Sequence, residues 1–194
     1  NIGAKTVILA LGGPAPLFAQ NVCGPNVAGF SFGLLEEIGA KTTNESYIQF
    51  MWYDHKGNFI NPASLFPGAT VVSRPGKLVP AVFNELELSM RLTHCPIFYN
   101  TPSYALDKLL LRCMHMDGWS RVRQGNETIR ITPMAHAGNG GAIIDENGLT
   151  SVPGLYALGE CATGMHGANR MGGAMILATQ VFGRRAGVAA AKEG

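Results

Sequence analysis

Residues Lys5 to Leu11 form a short, almost continuous apolar run that ends at Gly12, Gly13 and Pro14. Runs of this length, rich in β-branched residues and closed by glycine, are typical of parallel strands buried on both faces. A parallel strand needs neighbouring strands, which must come from later in this chain or from sequence outside it. We therefore expect an α/β fold, and a sequence that begins almost directly with such a strand suggests a piece of a longer protein.

The composition predicts a globular protein of one or two domains, with 194 residues, 46% hydrophobic and 14% charged. A net charge of +2 without a basic run does not indicate nucleic acid or a membrane surface as a partner. The four cysteines form no C-x-x-C pair, so neither a metal site nor a disulfide framework is indicated, and a reducing, cytoplasmic location is the default. Any leader peptide would lie outside this sequence, and its apolar stretches are shorter than the roughly 20 residues of a membrane helix.

The middle of the chain differs in character from its two ends. Prolines punctuate residues 61–126, and helical periodicity appears between them. We expect this segment to form a separate small insert between 1–60 and 127–194. Its clearest helix is predicted to begin at Thr101-Pro102, an N-cap followed by proline, and to stop at Gly118. One face of that helix carries Leu106, Leu109, Leu110 and Cys113.

The flanking segments contain further predicted elements. A helix ends within Gly33–Gly39, and Ser46–Tyr53 is a strand that leads into a turn at Lys56-Gly57-Asn58. The last third is predicted to contain strands at Glu127–Thr132, Gly141–Asp145 and Gly154–Leu158, a turn at Glu146-Asn147-Gly148, and a final helix from Gly172 to Lys192.

Ordered motifs between residues 135 and 187 carry a family resemblance. His136 precedes the pair Gly140-Gly141, and the strand Val152–Ala157 follows, then Gly159-Glu160 and finally Gly167–Arg170. This order resembles the C-terminal signature of the fumarate reductase, succinate dehydrogenase and L-aspartate oxidase flavoproteins. The resemblance implies an FAD-dependent oxidoreductase that moves a hydride between flavin and a small, carboxylate-bearing substrate.

The beginning of the chain fits the same family. Ala10-Leu11-Gly12-Gly13 resembles the family's second FAD-contacting strand end, usually Ala-Thr-Gly-Gly, although leucine removes a hydroxyl. No G-x-G-x-x-G motif occurs in the chain. The resemblance implies the C-terminal portion of a Rossmann-like FAD-binding domain with an inserted small α+β capping domain. This segment is then expected to bind FAD weakly or not at all by itself, and its open strand edges make a homo-oligomer plausible.

By resemblance, Arg170 would hold the substrate carboxylate and His136 would be a second substrate-binding residue. The alternatives are that Arg170 caps a carbonyl or pairs with Glu160, and that His136 only holds the Gly138–Gly141 turn. His166 is equally explained by the site or by a hydrogen bond at the helix entry.

The resemblance also implies a set of cofactor contacts. Glu160 would accept a hydrogen bond from a ribityl or ribose hydroxyl, and residues 173–176 would offer backbone amides to the flavin pyrimidine. Family members commonly have Asn-Ser-Leu where this chain has Ala-Met-Ile, which removes a serine hydroxyl. The implied FAD-binding residues are Leu11, Gly12, Gly13, Gly159, Glu160, Asn169, Gly173, Ala174, Met175 and Ile176.

Three departures from the family bear on the substrate. The usual Thr-Gly-Asp-Gly is Ala28–Ser31 here, and the usual Gln-Phe-His-Pro is Gln49–Trp52, so an acid and a histidine are absent. No helix matches the one that bears the family's proton-donating arginine, and Arg74, Arg91 and Arg112 are unranked candidates. These losses argue against assuming fumarate, succinate or aspartate as the substrate. They leave a non-catalytic flavin-binding or assembly module as the alternative function.

Overall fold

The computed structural model describes residues 3–24, 27, 29–66, 68–74, 76–80, 85–93, 95–98 and 104–193. Its elements in chain order are β1 (Val7–Leu9), α1 (Ser31–Glu37), β2 (Thr42–Thr43), β3 (Ile48–Asp54), β4 (Ala69–Val72), β5 (Leu78–Pro80), α2 (Glu85–Thr93), α3 (Tyr104–Arg112), β6 (Ser120–Gln124), β7 (Glu127–Gly138), β8 (Gly141–Ile143), β9 (Leu155–Ala157), β10 (Ala162–Thr163) and α4 (Ala174–Glu193). The predicted mixed α/β fold is confirmed.

The chain forms two compact units. The first consists of Asn1–Gln49 and Ala135–Gly194, and the second is Phe50–Met134. The insert predicted over residues 61–126 lies inside the second unit. That unit is longer than the predicted insert because β3 and β7 are members of its five-stranded sheet.

The strand predicted at the start of the chain is present and parallel. β1 pairs with β9 in the register Val7 to Leu155, Ile8 to Tyr156 and Leu9 to Ala157. The expectation of burial on both faces is wrong for this chain, because Val7 is 46% exposed and Ile8 is 41% exposed. Within the described part of the chain, β9 is the strand that pairs with β1 in this sheet.

A second sheet in the first unit has the order β10-β8-β2, with β10 parallel and β2 antiparallel to β8. Small side chains fill its core together with Leu35 of α1, which is fully buried beside Ala142 and Cys161. The predicted turn that follows β8 is present, with Gly148 at a φ of 85°.

Helix α4 buries a stripe of alanines, Ala178, Ala186 and Ala190. The last two pack with Tyr156 of β9, whose hydroxyl donates to Glu193 at 2.9 Å. The first turn of α4 is more open, since Ile176 is 70% exposed. No helix formed by the described residues is long and apolar enough to cross a membrane.

The second unit contains the sheet β3-β7-β6-β4-β5. The pairs β4–β5, β4–β6 and β6–β7 are antiparallel. The core contains Trp52, Val71, Leu110, Val122 and Ile131.

The helix predicted to carry an apolar face is α3, and that face is confirmed. Leu106 and Leu110 are 2% and 0% exposed, Cys113 is 8% exposed, and Leu109 packs against the same core. The predicted stop at Gly118 is wrong, because α3 ends at Arg112 and Gly118 lies in a turn before β6. The predicted start at Thr101-Pro102 lies outside the described residues.

A fully buried ion pair joins the two helices of the second unit. Arg91 of α2 and Asp107 of α3 are each 1% exposed, and Arg91 Nε lies 3.1 Å from Asp107 Oδ2. Trp52 Nε1 donates to the same carboxylate at 2.6 Å. The ion pair therefore links α2, α3 and β3.

Candidate functional site

The carboxyl ends of β1 and β9 lie at the same edge, because the two strands are parallel. Leu11, Gly12 and Gly13 follow β1, and Gly159-Glu160 follows β9. A Cβ on Gly13 would collide with the Glu160 side chain, so a larger residue here would force Glu160 out of its observed position. The structure thus brings together two segments that the sequence assigned separately to cofactor binding.

Glu160 also joins this edge to the end of β7. Its Oε1 accepts a hydrogen bond from the Gly138 N–H at 2.7 Å. Burial raises the pKa of Glu160, while the Gly138 hydrogen bond and the positive charge of Arg170 act in the opposite direction. The carboxylate therefore has a fixed backbone contact and a charged neighbour.

The raised pKa of Glu160 predicts a specific pH dependence of stability. Between its ordinary value of 4.5 and its higher folded-state pKa, the folded protein binds more protons than the unfolded chain. The contribution of Glu160 to the free energy of unfolding therefore falls as the pH rises through that window.

Glu160→Gln keeps an acceptor for Gly138 but removes the titration. Urea denaturation at a series of pH values should show wild type losing stability relative to Glu160→Gln as the pH rises above about 4.5. Parallel curves would contradict this, and Glu36→Gln on exposed α1 controls for loss of one carboxylate.

His136 lies on β7, two residues before Gly138. Burial lowers its pKa, and the positive charge of Arg170 lowers it further. A depressed histidine pKa keeps the imidazole neutral at neutral pH, so each ring nitrogen keeps a distinct role as donor or acceptor. The structure places His136 and Arg170 within electrostatic reach of each other.

The Arg170 side chain is half-buried. Its Nη1 donates to the Met171 carbonyl at 3.0 Å, while its Nε is buried without a hydrogen-bond partner among the described residues. Burial lowers the pKa of Arg170 and the charge of Glu160 raises it, but a guanidinium remains protonated because its ordinary pKa exceeds about 12. The sequence left two alternative roles for Arg170. The first, a hydrogen bond to a nearby carbonyl, is present at Met171. The second, an ion pair with Glu160, is not among the ion pairs within 4 Å that the described residues form.

Other buried polar atoms near Arg170 share this lack of partners. Buried polar groups in folded proteins are nearly always hydrogen-bonded, so a cluster of exceptions needs an explanation. His166 lines a cavity of about 250 Å³ together with Ala174 and Phe182. The atoms without a protein partner in this part of the described structure are Gln49 Oε1, Asn139 Oδ1, His166 Nε2 and Arg170 Nε.

The start of α4 is accessible. Gly173 has a φ of 79°, and a Cβ added to Gly172 or Gly173 would meet no atom within 4 Å beyond the adjacent residues of the chain. The first N–H groups of an α-helix have no acceptor within the helix, so they can bind an anion or a carbonyl. Open glycine backbone and buried polar atoms without partners fit a large polar ligand such as FAD. Asn169 and Ile176 are exposed, and Ala174 and Met175 are partly buried.

The sequence missed two side chains that contact the Gly167–Arg170 segment. Gln49 Nε2 donates to the Arg170 carbonyl, and Asn139 Nδ2 donates to the Ala168 carbonyl. A weak signal existed for each residue, because Gln49 opens the Gln-Phe-Met-Trp motif and Asn139 directly precedes the glycine pair. Only the folded chain shows that both reach the same segment.

The candidates for a proton donor lie in different surroundings within the second unit. Arg91 is engaged by Asp107 and buried, whereas Arg74 Nη1 contacts Met116 Sδ at 3.1 Å. No group of three His, Cys, Asp or Glu side chains suited to a metal occurs among the described residues. His115 instead contacts the Val72 carbonyl through Nε2 at 2.9 Å.

Comparison with known proteins agrees with this geometry. Residues 105–176 match the family described as FAD binding domain. L-aspartate oxidase of Caulobacter vibrioides is 31% identical over 222 aligned positions, which cover all of this chain and 42% of the relative. The fumarate reductase flavoprotein subunit of Haemophilus influenzae is 35% identical over 102 aligned positions, which cover 52% of this chain and 17% of the relative. The chain thus spans less than half the length of these relatives.

Solved structures show the same fold. Mycobacterium smegmatis Sdh1 in complex with UQ1 matches 97% of this chain and 36% of its own, with a TM-score of 0.66 and 23% identity. The E245Q mutant of E. coli quinol fumarate reductase FrdA matches 97% of this chain and 39% of its own, with a TM-score of 0.60 and 22% identity.

The matches define an FAD-binding flavoprotein, which confirms FAD as the cofactor that the family implies. The relatives of this chain include fumarate reductase flavoprotein subunits and L-aspartate oxidases.

Proposed function

We propose that this sequence is the C-terminal part of an FAD-dependent oxidoreductase that moves a hydride between flavin and a small, carboxylate-bearing substrate. The first unit would be the C-terminal portion of a Rossmann-like FAD-binding domain, and the second unit would be its inserted capping domain. Support comes from the parallel β1–β9 pair, which places Leu11–Gly13 and Gly159–Glu160 at one edge.

The residues at that edge and at the start of α4 would hold the cofactor. Bound FAD supplies hydride transfer, which protein side chains cannot perform. Glu160 offers a carboxylate oxygen to a hydroxyl, and Gly173, Met175 and Ile176 offer backbone amides to a carbonyl. The Ala174 N–H instead donates to the Met171 carbonyl at 3.2 Å. The open backbone at Gly172 and Gly173 would allow close approach.

Arg170 would bind the substrate carboxylate, and the proposed function depends on this role. The single observation behind it is the buried Nε of Arg170, a cationic donor without a partner in the described structure. A planar guanidinium binds a carboxylate through two parallel hydrogen bonds, and it remains charged throughout the working pH range.

His136 would contact the substrate in its neutral form. Its pKa is lowered by burial and by Arg170, so donating a hydrogen bond does not require a second positive charge in the site. Because Met51 stands where the family usually has histidine, the binding of a second carboxylate is not assumed. The proposed substrate class is therefore a small carboxylate, with fumarate and L-aspartate as the first compounds to test.

An anaerobic experiment on the complete protein tests the direction of hydride transfer. The purified flavoprotein is reduced with dithionite and mixed with fumarate, and in a second series the oxidised protein is mixed with L-aspartate. Return of the flavin absorbance in the first case, or its loss in the second, identifies the substrate as an electron acceptor or donor. If no carboxylate in a broader panel exchanges electrons with bound flavin, the protein is a non-catalytic flavin-binding module and the proposal fails.

A further inference from the structure

We propose that Gln49 and Asn139 are positioning residues that fix Arg170 in the orientation needed to bind a carboxylate. This inference rests on the proposed function of Arg170. It concerns two side chains that hold the segment carrying Arg170 by its backbone.

The two amides bind neighbouring points of one segment. Gln49 Nε2 donates to the Arg170 carbonyl at 3.3 Å, and Asn139 Nδ2 donates to the Ala168 carbonyl at 3.4 Å. Both side chains are buried, at 2% and 1% exposed. The orientation of each amide follows from its partner, because only the NH₂ group can donate to a carbonyl oxygen. Two carbonyls held in this way restrict rotation of the backbone at Arg170.

Asn139 itself lies on a rigid support. Its N–H donates to the Tyr47 carbonyl at 2.8 Å, and its own carbonyl accepts from Thr163 Oγ1 at 2.9 Å. A Cβ on the next residue, Gly140, would collide with the backbone carbonyl of Asn44. The backbone on both sides of the Asn139 side chain is therefore held in place, so the amide can transmit that rigidity to the Ala168 carbonyl.

The Arg170 side chain has no comparable restraint at its own Nε. That atom is buried without a partner in the described chain, and Nη1 contacts only the adjacent Met171 carbonyl. The direction of the guanidinium is therefore set mainly by the backbone that Gln49 and Asn139 hold. Loss of either amide donor should misplace the guanidinium without changing its charge.

Three substitutions in the complete flavoprotein test this role. Gln49→Glu and Asn139→Asp keep the shape of the side chain but replace a donor by a carboxylate, and Asn139→Leu removes the donor without adding charge. Each should raise the KM for the carboxylate substrate about tenfold while kcat changes less, because one hydrogen bond that orients the binding group is lost. If Asn139→Asp fails to fold, the other two variants decide by the same criterion.

A double-mutant cycle separates positioning from general damage. If Asn139 acts through Arg170, adding Asn139→Leu to Arg170→Ala should not raise KM further.

Asn61→Asp is the matched control, because Asn61 Nδ2 donates in the same way to the Arg91 and Leu92 carbonyls, both at 3.1 Å, in the second unit. It should lower the melting temperature and leave KM unchanged.

Two different failures can be told apart. If Arg170→Ala leaves the KM unchanged, the proposed function of Arg170 is wrong. If Arg170→Ala raises the KM but the Gln49 and Asn139 variants behave like Asn61→Asp, the positioning role alone is overturned.

Discussion

Arg170→Ala in the complete protein is expected to lower kcat/KM for the carboxylate substrate by about a hundredfold or more. The substitution removes a guanidinium that would form two charge-assisted hydrogen bonds, and each such bond is typically worth about 1.5–3 kcal/mol. Steady-state kinetics with the substrate identified in the anaerobic experiment provide the measurement.

Arg184→Ala is the matched control for this prediction. Arg184 is an exposed arginine on α4 of the same unit. Its removal changes the net charge equally, so it should leave kcat/KM close to the wild-type value. Equal effects of the two substitutions, or none at Arg170, would show that Arg170 does not bind the substrate.

Asp107→Ala is expected to lower the free energy of unfolding of the second unit by about 3–5 kcal/mol. Removing one member of a buried ion pair leaves the other charge in a low-dielectric interior, which costs far more than an exposed ion pair contributes. Trp52 Nε1 also loses the carboxylate that accepts its hydrogen bond. Urea denaturation followed by tryptophan fluorescence measures the loss, since Trp52 lies in this core.

Asp117→Ala provides the comparison on the surface of the same unit. Asp117 pairs with Arg121, but both side chains are partly exposed, at 43% and 26%. Exposed ion pairs contribute little because water and salt screen them, so this substitution should have a much smaller effect. If both aspartates gave similar small losses, the buried pair would not be a major link between α2 and α3.

Much of the first unit could be predicted from sequence because its signals are local. The apolar run before Gly12 predicted β1, and the ordered glycine motifs predicted β8, β9 and α4 close to their observed positions. The burial of β1 could not be predicted this way, since burial depends on which strands and helices lie beside it. Val7 and Ile8 have the composition of an interior strand, yet both remain substantially exposed in this chain.

The second unit was harder to predict. Strands β4, β5 and β6 contain only three to five residues each and pair antiparallel, so each gives a weaker local signal than the longer apolar run that marked β1. Helix α2 is anchored by Arg91, whose full burial no local pattern reveals, because arginine is normally a surface residue. Its partner Asp107 is distant in sequence, so only tertiary structure explains both residues.

The candidate site shows the same limit. Motif order predicted His136, Glu160 and Arg170 as site residues, and in the structure Arg170 lies within electrostatic reach of both His136 and Glu160. Gln49 and Asn139 were missed because their contacts with Ala168 and Arg170 join segments far apart in the chain.

A visible absorption spectrum of the purified complete protein shows whether it binds flavin. We expect the two absorption bands of oxidised flavin, and these bands should disappear on reduction with dithionite. Absence of flavin bands, even after incubation with excess FAD and removal of the unbound cofactor, would contradict the proposed FAD-dependent function.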